Sequence, residues 1–130
     1  MKLNRTLAIG ALVAAATAMI TPATSAAAGD PEAGEKVFRK CATCHEFKAP
    51  KNKVGPHLVG IIGRPAGTVE GFKYSDAMKN SDVVWNEETI SAYVKQPKAY
   101  IPDNRMGFPG LKKDEDVANL IAYLKQATAQ

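Results

Sequence analysis

The stretch Cys41-Ala42-Thr43-Cys44-His45 restricts this chain more than any other. Two cysteines three positions apart, with a histidine next to the second, form the arrangement through which a haem is attached covalently. Each thiol adds to one vinyl group of the porphyrin, and the imidazole is held beneath the iron as an axial ligand. On a helical turn the two sulfurs project toward neighbouring edges of a flat ring while His45 points at its centre. Two other chemistries use a similar run. A thiol-disulfide redox pair usually sits at a helix start in a βαβ setting, and no strand-rich pattern surrounds Cys41. A zinc site wants two further Cys or His ligands, and the only other histidine is His57.

The N-terminal residues carry an address. Lys2 and Arg5 precede an apolar run from Leu7 to Ile20, and Thr21-Pro22-Ala23-Thr24-Ser25-Ala26-Ala27-Ala28 supplies the small residues a signal peptidase accepts. Residues 1–28 therefore read as a secretory signal cleaved after about residue 26–28, with the functional domain over 29–130 and a periplasmic destination. A permanent membrane anchor asks for about 20 consecutive apolar residues, and this run is shorter and rich in Ala and Thr. Export into an oxidising compartment would close or consume free thiols, and thioether bonds to haem consume both.

Without Lys2 and Arg5 the 17 basic residues become 15 against 13 acidic ones, a formal excess of two. So small an excess excludes nucleic-acid binding by bulk charge and makes the placement of the cations matter more than their number. With 45% hydrophobic and 23% charged residues the chain is one globular domain at most. A domain of this size has a limited core, to which a large apolar cofactor would contribute.

Asp30-Pro31-Glu32 marks a helix start, with Asp30 as N-cap and Pro31 in the first helical position. That helix should run to about Cys41 with Ala33, Val37 and Phe38 on one side, and Gly34 there suggests close approach of another backbone. At the other end, Asp114 would cap a helix in which Val117, Leu120, Ile121 and Leu124 recur at helical spacing. The two terminal helices should cross, with Gly34 and Phe38 against Leu120 and Tyr123.

Between them, residues 46–71 hold many Gly, Pro and Lys residues with little periodicity, which predicts loops wrapped around something. The Gly55-Pro56 turn leaves the Pro56 carbonyl free to accept the second N–H of His45, as ligating histidines require. His57 reads as a surface or hydrogen-bonding residue. Ser75 would cap a short helix through Asn80, and Asn86 a better one, Glu87 to Gln96, ended by Pro97 and apolar at Ile90, Tyr93 and Val94. Residues 97–110 then form a loop held by three prolines. Met1 and Met19 leave with the signal, so Met78 and Met106 compete for the second axial position. Met78 falls in a short helix where it fills space; Met106 falls in a stiff Gly/Pro-flanked loop suited to presenting a thioether.

The series Gly34/Phe38, Cys41-Ala42-Thr43-Cys44-His45, Gly55-Pro56, Gly63-Arg64, Trp85, Tyr93, Pro97-Lys98-Ala99-Tyr100-Ile101-Pro102 and Met106 resembles the class I cytochromes c, meaning mitochondrial cytochrome c and its soluble bacterial relatives, over residues 29–128. The resemblance implies an all-α fold, helices and loops wrapped around one covalent haem c, with iron between His45 and Met106. It places Arg64, Tyr74 and Trp85 on the haem propionates, the Tyr93 hydroxyl on the Met106 sulfur, Asn104 where the family often has a hydroxyl, and Phe108 along the exposed haem edge. Simple packing is the rival role for Tyr74 and Trp85. The chain departs from the family at Met78, where relatives often carry an asparagine that orders a buried water, and at Ala99 and Arg105, which replace lysines able to displace the methionine at high pH. Lys98 is then the replacement ligand expected in the alkaline form.

Functionally the resemblance implies a monomeric one-electron carrier and not an enzyme, shuttling between membrane-bound respiratory or photosynthetic complexes and periplasmic redox partners. Lys40, Lys53, Lys98, Arg105, Lys112 and Lys113 would ring the exposed haem edge and steer acidic docking faces. A haem-based ligand sensor or peroxidase-like enzyme would require Met106 to be labile, and a thiol oxidoreductase would carry no haem.

Overall fold

The computed structural model describes residues 28–129, so residues 1–27, and with them nearly all of the expected signal segment, lie outside the described part. Among the described residues five helices follow one another: α1 (Pro31–Ala42), α2 (Asp76–Lys79), α3 (Glu87–Lys95), α4 (Pro97–Tyr100) and α5 (Asp114–Ala127). Among the described residues the only extended pairing is an isolated antiparallel bridge between Pro65 and Val84. None of the described helices is long and apolar enough to cross a membrane.

Local chemistry starts the first three helices. The Asp30 carboxylate accepts from the Glu32 N–H with Pro31 behind it, Ser75 Oγ accepts from the Met78 N–H, and Asn86 and Thr89 exchange side-chain and backbone bonds in a capping box. The last helix begins differently from the sequence reading. Its cap position is Lys113, and Asp114 is already helical. The Asp114 carboxylate is drawn instead to Lys95 Nζ at 2.7 Å, tying α5 to the end of α3.

Helices α1 and α5 form the main packing unit. A Cβ on Gly34 would lie 1.9 Å from the Asn119 carbonyl oxygen and 2.8 Å from Tyr123 Cβ, so the backbones touch where only glycine fits. Gly34 thus meets α5 at the Asn119 carbonyl and at Tyr123. Phe38 packs against Tyr123 with ring centroids 5.2 Å apart and against Phe47 at 4.8 Å. Beneath them Val117, Leu120, Ile121 and Leu124 join Phe38, Trp85, Ile90 and Tyr93 in one core. Across the crossing, the Asp30 N–H donates to Asn119 Oδ1 at 2.7 Å.

Residues 97–110 are not loop throughout. Gln96, kept out of the helical region at φ −147° and ψ 74° by the proline after it, breaks α3, and Pro97 then serves as first residue of the helical turn α4. Three prolines in a short stretch hid this turn, although the first of them suits a helix start.

Candidate functional site

The end of α1 delivers the cysteines. Cys41 lies in its last turn, and its carbonyl accepts from the N–H groups of both Cys44 (3.0 Å) and His45 (2.9 Å), which wraps residues 41–45 into a tight turn. Both cysteines are free and half-buried. Burial pushes the Cys41 thiol up to about 11, outweighing the lowering effect of Lys40. Thiol-disulfide chemistry needs a thiolate stabilised near neutral pH, and this environment does the reverse.

His45 is held from a second loop. The Gly55 N–H donates to the Cys44 carbonyl at 2.8 Å, and the Leu58 N–H donates to the Glu46 carbonyl at 2.7 Å. A Cβ on Gly55 would come within 2.4 Å of His45 Cε1, so this glycine is the seat of the imidazole. His45 Nδ1 lies 2.7 Å from the Pro56 carbonyl oxygen. A carbonyl can only accept, so Nδ1 carries the hydrogen and Nε2 keeps its lone pair for a metal. Burial lowers the proton affinity of this imidazole against the raising effect of the Pro56 bond, and nearby Arg64 and Lys53 lower it further, which leaves it neutral and fit to coordinate.

Met106 is presented by a loop organised around Asn104. The buried Asn104 amide donates to the carbonyls of Pro97 (2.8 Å) and Ile101 (2.7 Å), and its Oδ1 accepts from the Met106 N–H at 2.9 Å. Its own carbonyl accepts from Lys98 Nζ. The side chain of Asn104 is thus committed to backbone, and it aims the methionine two residues on. The Tyr93 hydroxyl donates to Met106 Sδ at 3.8 Å. Burial raises the Tyr93 phenol to about 12, so it remains a donor. Met78, the other methionine weighed from sequence, lies on α2, half-buried against the core.

A third group assembles around the isolated bridge. The Trp85 N–H donates to the Arg64 carbonyl (2.9 Å) and the Gly63 N–H to the Trp85 carbonyl (2.6 Å), so Arg64 and Trp85 are placed together by backbone. The Arg64 guanidinium donates to the carbonyls of Val59 (3.1 Å) and His57 (3.0 Å). The Tyr74 hydroxyl accepts from the Val69 N–H at 3.2 Å. Burial weakens the proton hold of Arg64, partly offset by Tyr74, and raises the Tyr74 phenol, partly offset by the bond from Val69 and then by Arg64. Trp85 is buried, its ring 5.0 Å from that of Tyr93. His57 is half-buried and hydrogen-bonded as expected, its N–H donating to Asn52 Oδ1 and its carbonyl accepting from Arg64, while its Nδ1 is buried without a partner among the described residues.

The donor set suits a metal already held in a macrocycle. Among the described residues no group of three or more His, Cys, Asp or Glu side chains could bind a bare ion. An iron with four porphyrin nitrogens needs two more ligands, and a neutral imidazole and a thioether are what this chain supplies, beside two thiols spaced for vinyl groups. Cys41, Leu58, Met78, Met106 and Phe108 pack half-buried against the core, an apolar border appropriate to such a ring.

Fold and site together define a small all-α protein built to hold one covalent haem. The Cytochrome c family profile matches residues 31–128. The chain is similar to cytochrome c2 of Blastochloris viridis, 48% identical with 96% of this chain and 95% of that protein covered. It is also similar to cytochrome c of Ginkgo biloba, 52% identical over 78% of this chain and 92% of that one. Among solved structures, cytochrome cH from Methylobacterium extorquens superposes with a TM-score of 0.70 at 42% identity, covering 75% of this chain and 98% of that one. The chain belongs to the cytochrome c family. Its cofactor is haem c, for which Cys41 and Cys44 provide the attachment motif.

Two contributions to the site were not read from the sequence. Lys53 Nζ donates to the Ala42 carbonyl at 2.9 Å, and Asn52 Nδ2 donates to the Glu70 carbonyl at 3.0 Å. Neither has a spacing signal, since both bonds join residues that only the folded loop brings together.

Proposed function

We propose that this cytochrome works as a one-electron carrier and not as an enzyme, with His45 and Met106 as the two axial ligands. When bound, haem c supplies the one-electron change between ferric and ferrous iron; the chain supplies ligands, burial and docking charges. The observation that carries this reading is the pairing of two pre-set donors: the His45 imidazole with Nδ1 fixed on the Pro56 carbonyl, and the Met106 sulfur accepting from Tyr93. Two protein ligands leave no open position for substrate, and a soft thioether favours the ferrous state. Arg64, Tyr74 and Trp85, gathered around the Pro65–Val84 bridge, are the candidates to face the propionates.

The working place is the periplasm, and the partners are membrane-bound redox complexes and periplasmic redox proteins. Two contacts support a domain that begins at residue 29 or just before. A Cβ on Gly29 would lie 2.0 Å from the Ala118 carbonyl oxygen, and the next residue is bonded to Asn119, so this segment is built into α5. Signal cleavage at residues 26–28 leaves both contacts intact.

The visible absorption spectrum of the purified protein tests the proposal. Low-spin six-coordinate haem in both oxidation states, with no carbon monoxide adduct of the reduced form at neutral pH, is the expected result. A five-coordinate or readily carbonylated ferrous form would instead favour a ligand sensor or a peroxidase-like enzyme, and a spectrum without haem would leave a thiol oxidoreductase.

A further inference from the structure

Helix α1 ends at Ala42, where the last carbonyls have no intrahelical partner. Cys41 spends its carbonyl on the turn that follows, accepting from Cys44 and His45. The next carbonyl, that of Ala42, accepts from Lys53 Nζ at 2.9 Å. Lys53 also donates its backbone N–H to the Gly55 carbonyl at 3.0 Å, and Gly55 in turn donates to the Cys44 carbonyl at 2.8 Å. Residues 53–55 therefore grip the Cys41–His45 turn twice, once through a side chain and once through backbone. Gly55 is the residue against which the His45 ring rests, and Pro56 accepts from its Nδ1. An ammonium is also the favourable charge at a helix C-terminus.

We propose that Lys53 is a positioning residue for the His45 imidazole, its ammonium clasping the haem-attachment turn to the loop that seats the ring and holding a positive charge beside the iron's ligand. The proposal rests on His45 as axial ligand. A cation in this place disfavours the ferric state, so Lys53 raises the reduction potential as well as steadying the ring. Lys53 is thus engaged with the His45 side of the site, as Lys98 is with the Met106 loop through the Asn104 carbonyl.

The test compares the haem-loaded wild type with Lys53→Met, which keeps the stem but removes donor and charge, and with Lys53→Arg, which keeps both. Lys53→Gln replaces the Met variant if that one fails to fold. Two quantities are read: the reduction potential at low and high salt, and the hydrogen-exchange rate of the His45 Nδ1–H by NMR of the reduced protein. The Met variant should show a lower potential and exchange faster by about tenfold, the scale of one lost hydrogen bond, with the Arg variant near wild type. Unchanged exchange in the Met variant overturns the clasp, whether or not the potential moves. The wild-type His45 ring protons report ligation separately: without the large upfield shift of a ring lying over a macrocycle, the ligand assignment fails and the proposal falls with it.

Discussion

Tyr93 places two demands on one side chain. Its ring belongs to the core beside Trp85, and its hydroxyl donates to the Met106 sulfur. Sulfur is a weak acceptor, so Tyr93→Phe should change the unfolding free energy by no more than about 1 kcal/mol. It should nevertheless lower the reduction potential of the holoprotein, because a hydroxyl that draws density from the thioether disfavours ferric iron. Voltammetry checks this, and an unchanged potential would mean that the contact has no bearing on the sulfur. The same residue sets a pH dependence. Burial raises its phenol from 10.0 to about 12, so the folded state holds the proton more tightly than the unfolded one. A raised folded value contributes stability that is fully present below the unfolded value and is lost as pH rises through the folded one. Between these limits the wild type should lose more stability than Tyr93→Phe, and denaturant midpoints at about pH 9 and about pH 11 measure the difference. Parallel losses in the two proteins would place the alkaline transition elsewhere.

The α1–α5 crossing turns on Gly34, where opposing effects of comparable size can be ranked. Replacing a mid-helix glycine by alanine gains about 1 kcal/mol of helix propensity. The new Cβ would sit 1.9 Å from the Asn119 carbonyl oxygen, which is backbone and has no rotamer to yield. Overpacking of this kind costs about 1–3 kcal/mol, and a backbone collision belongs at or beyond the upper end. Gly34→Ala should therefore destabilise by about 2 kcal/mol net, read as a lower denaturant midpoint at an unchanged slope. A rise in the midpoint would show that the helices separate freely. The glycine was conspicuous in the sequence because it interrupts a helical stripe, whereas its opposite number, the Asn119 backbone, left no trace there. The same division runs through the other elements. Asp30, Ser75 and Asn86 were legible as caps because each bonds backbone within three residues. Lys113 was not, because it makes no side-chain capping bond that a sequence could announce. In the site, the Cys41–His45 turn was legible as local chemistry. The loop geometry that aims Met106, made by Asn104 bonding to Pro97 and Ile101, depends on a helical turn that the prolines concealed.

At the scale of the molecule, the six cations assigned to the haem edge divide into two sets, although all are exposed. Lys53, Lys98 and Lys112 donate to the carbonyls of Ala42, Asn104 and Pro109, so their ammonium groups are partly committed to the chain. Lys40, Arg105 and Lys113 make no side-chain bond among the described residues and are free to turn toward a partner. With so small a net charge outside the N-terminal segment, steering depends on this local arrangement and not on the total. Steering of this kind raises association rates by about 10–10³ at low salt and fades as the screening length shrinks to about 10 Å near 0.1 M. Oxidation of the reduced protein by a membrane-bound oxidase should therefore slow by about tenfold between roughly 10 mM and 0.3 M ionic strength. The three-fold variant Lys40→Gln, Arg105→Gln, Lys113→Gln should be slow at low salt and nearly flat across the range. A variant curve parallel to that of the wild type would remove these three residues from the docking face. It would transfer the steering to the bonded lysines, whose side chains would then have to leave their carbonyls to reach a partner.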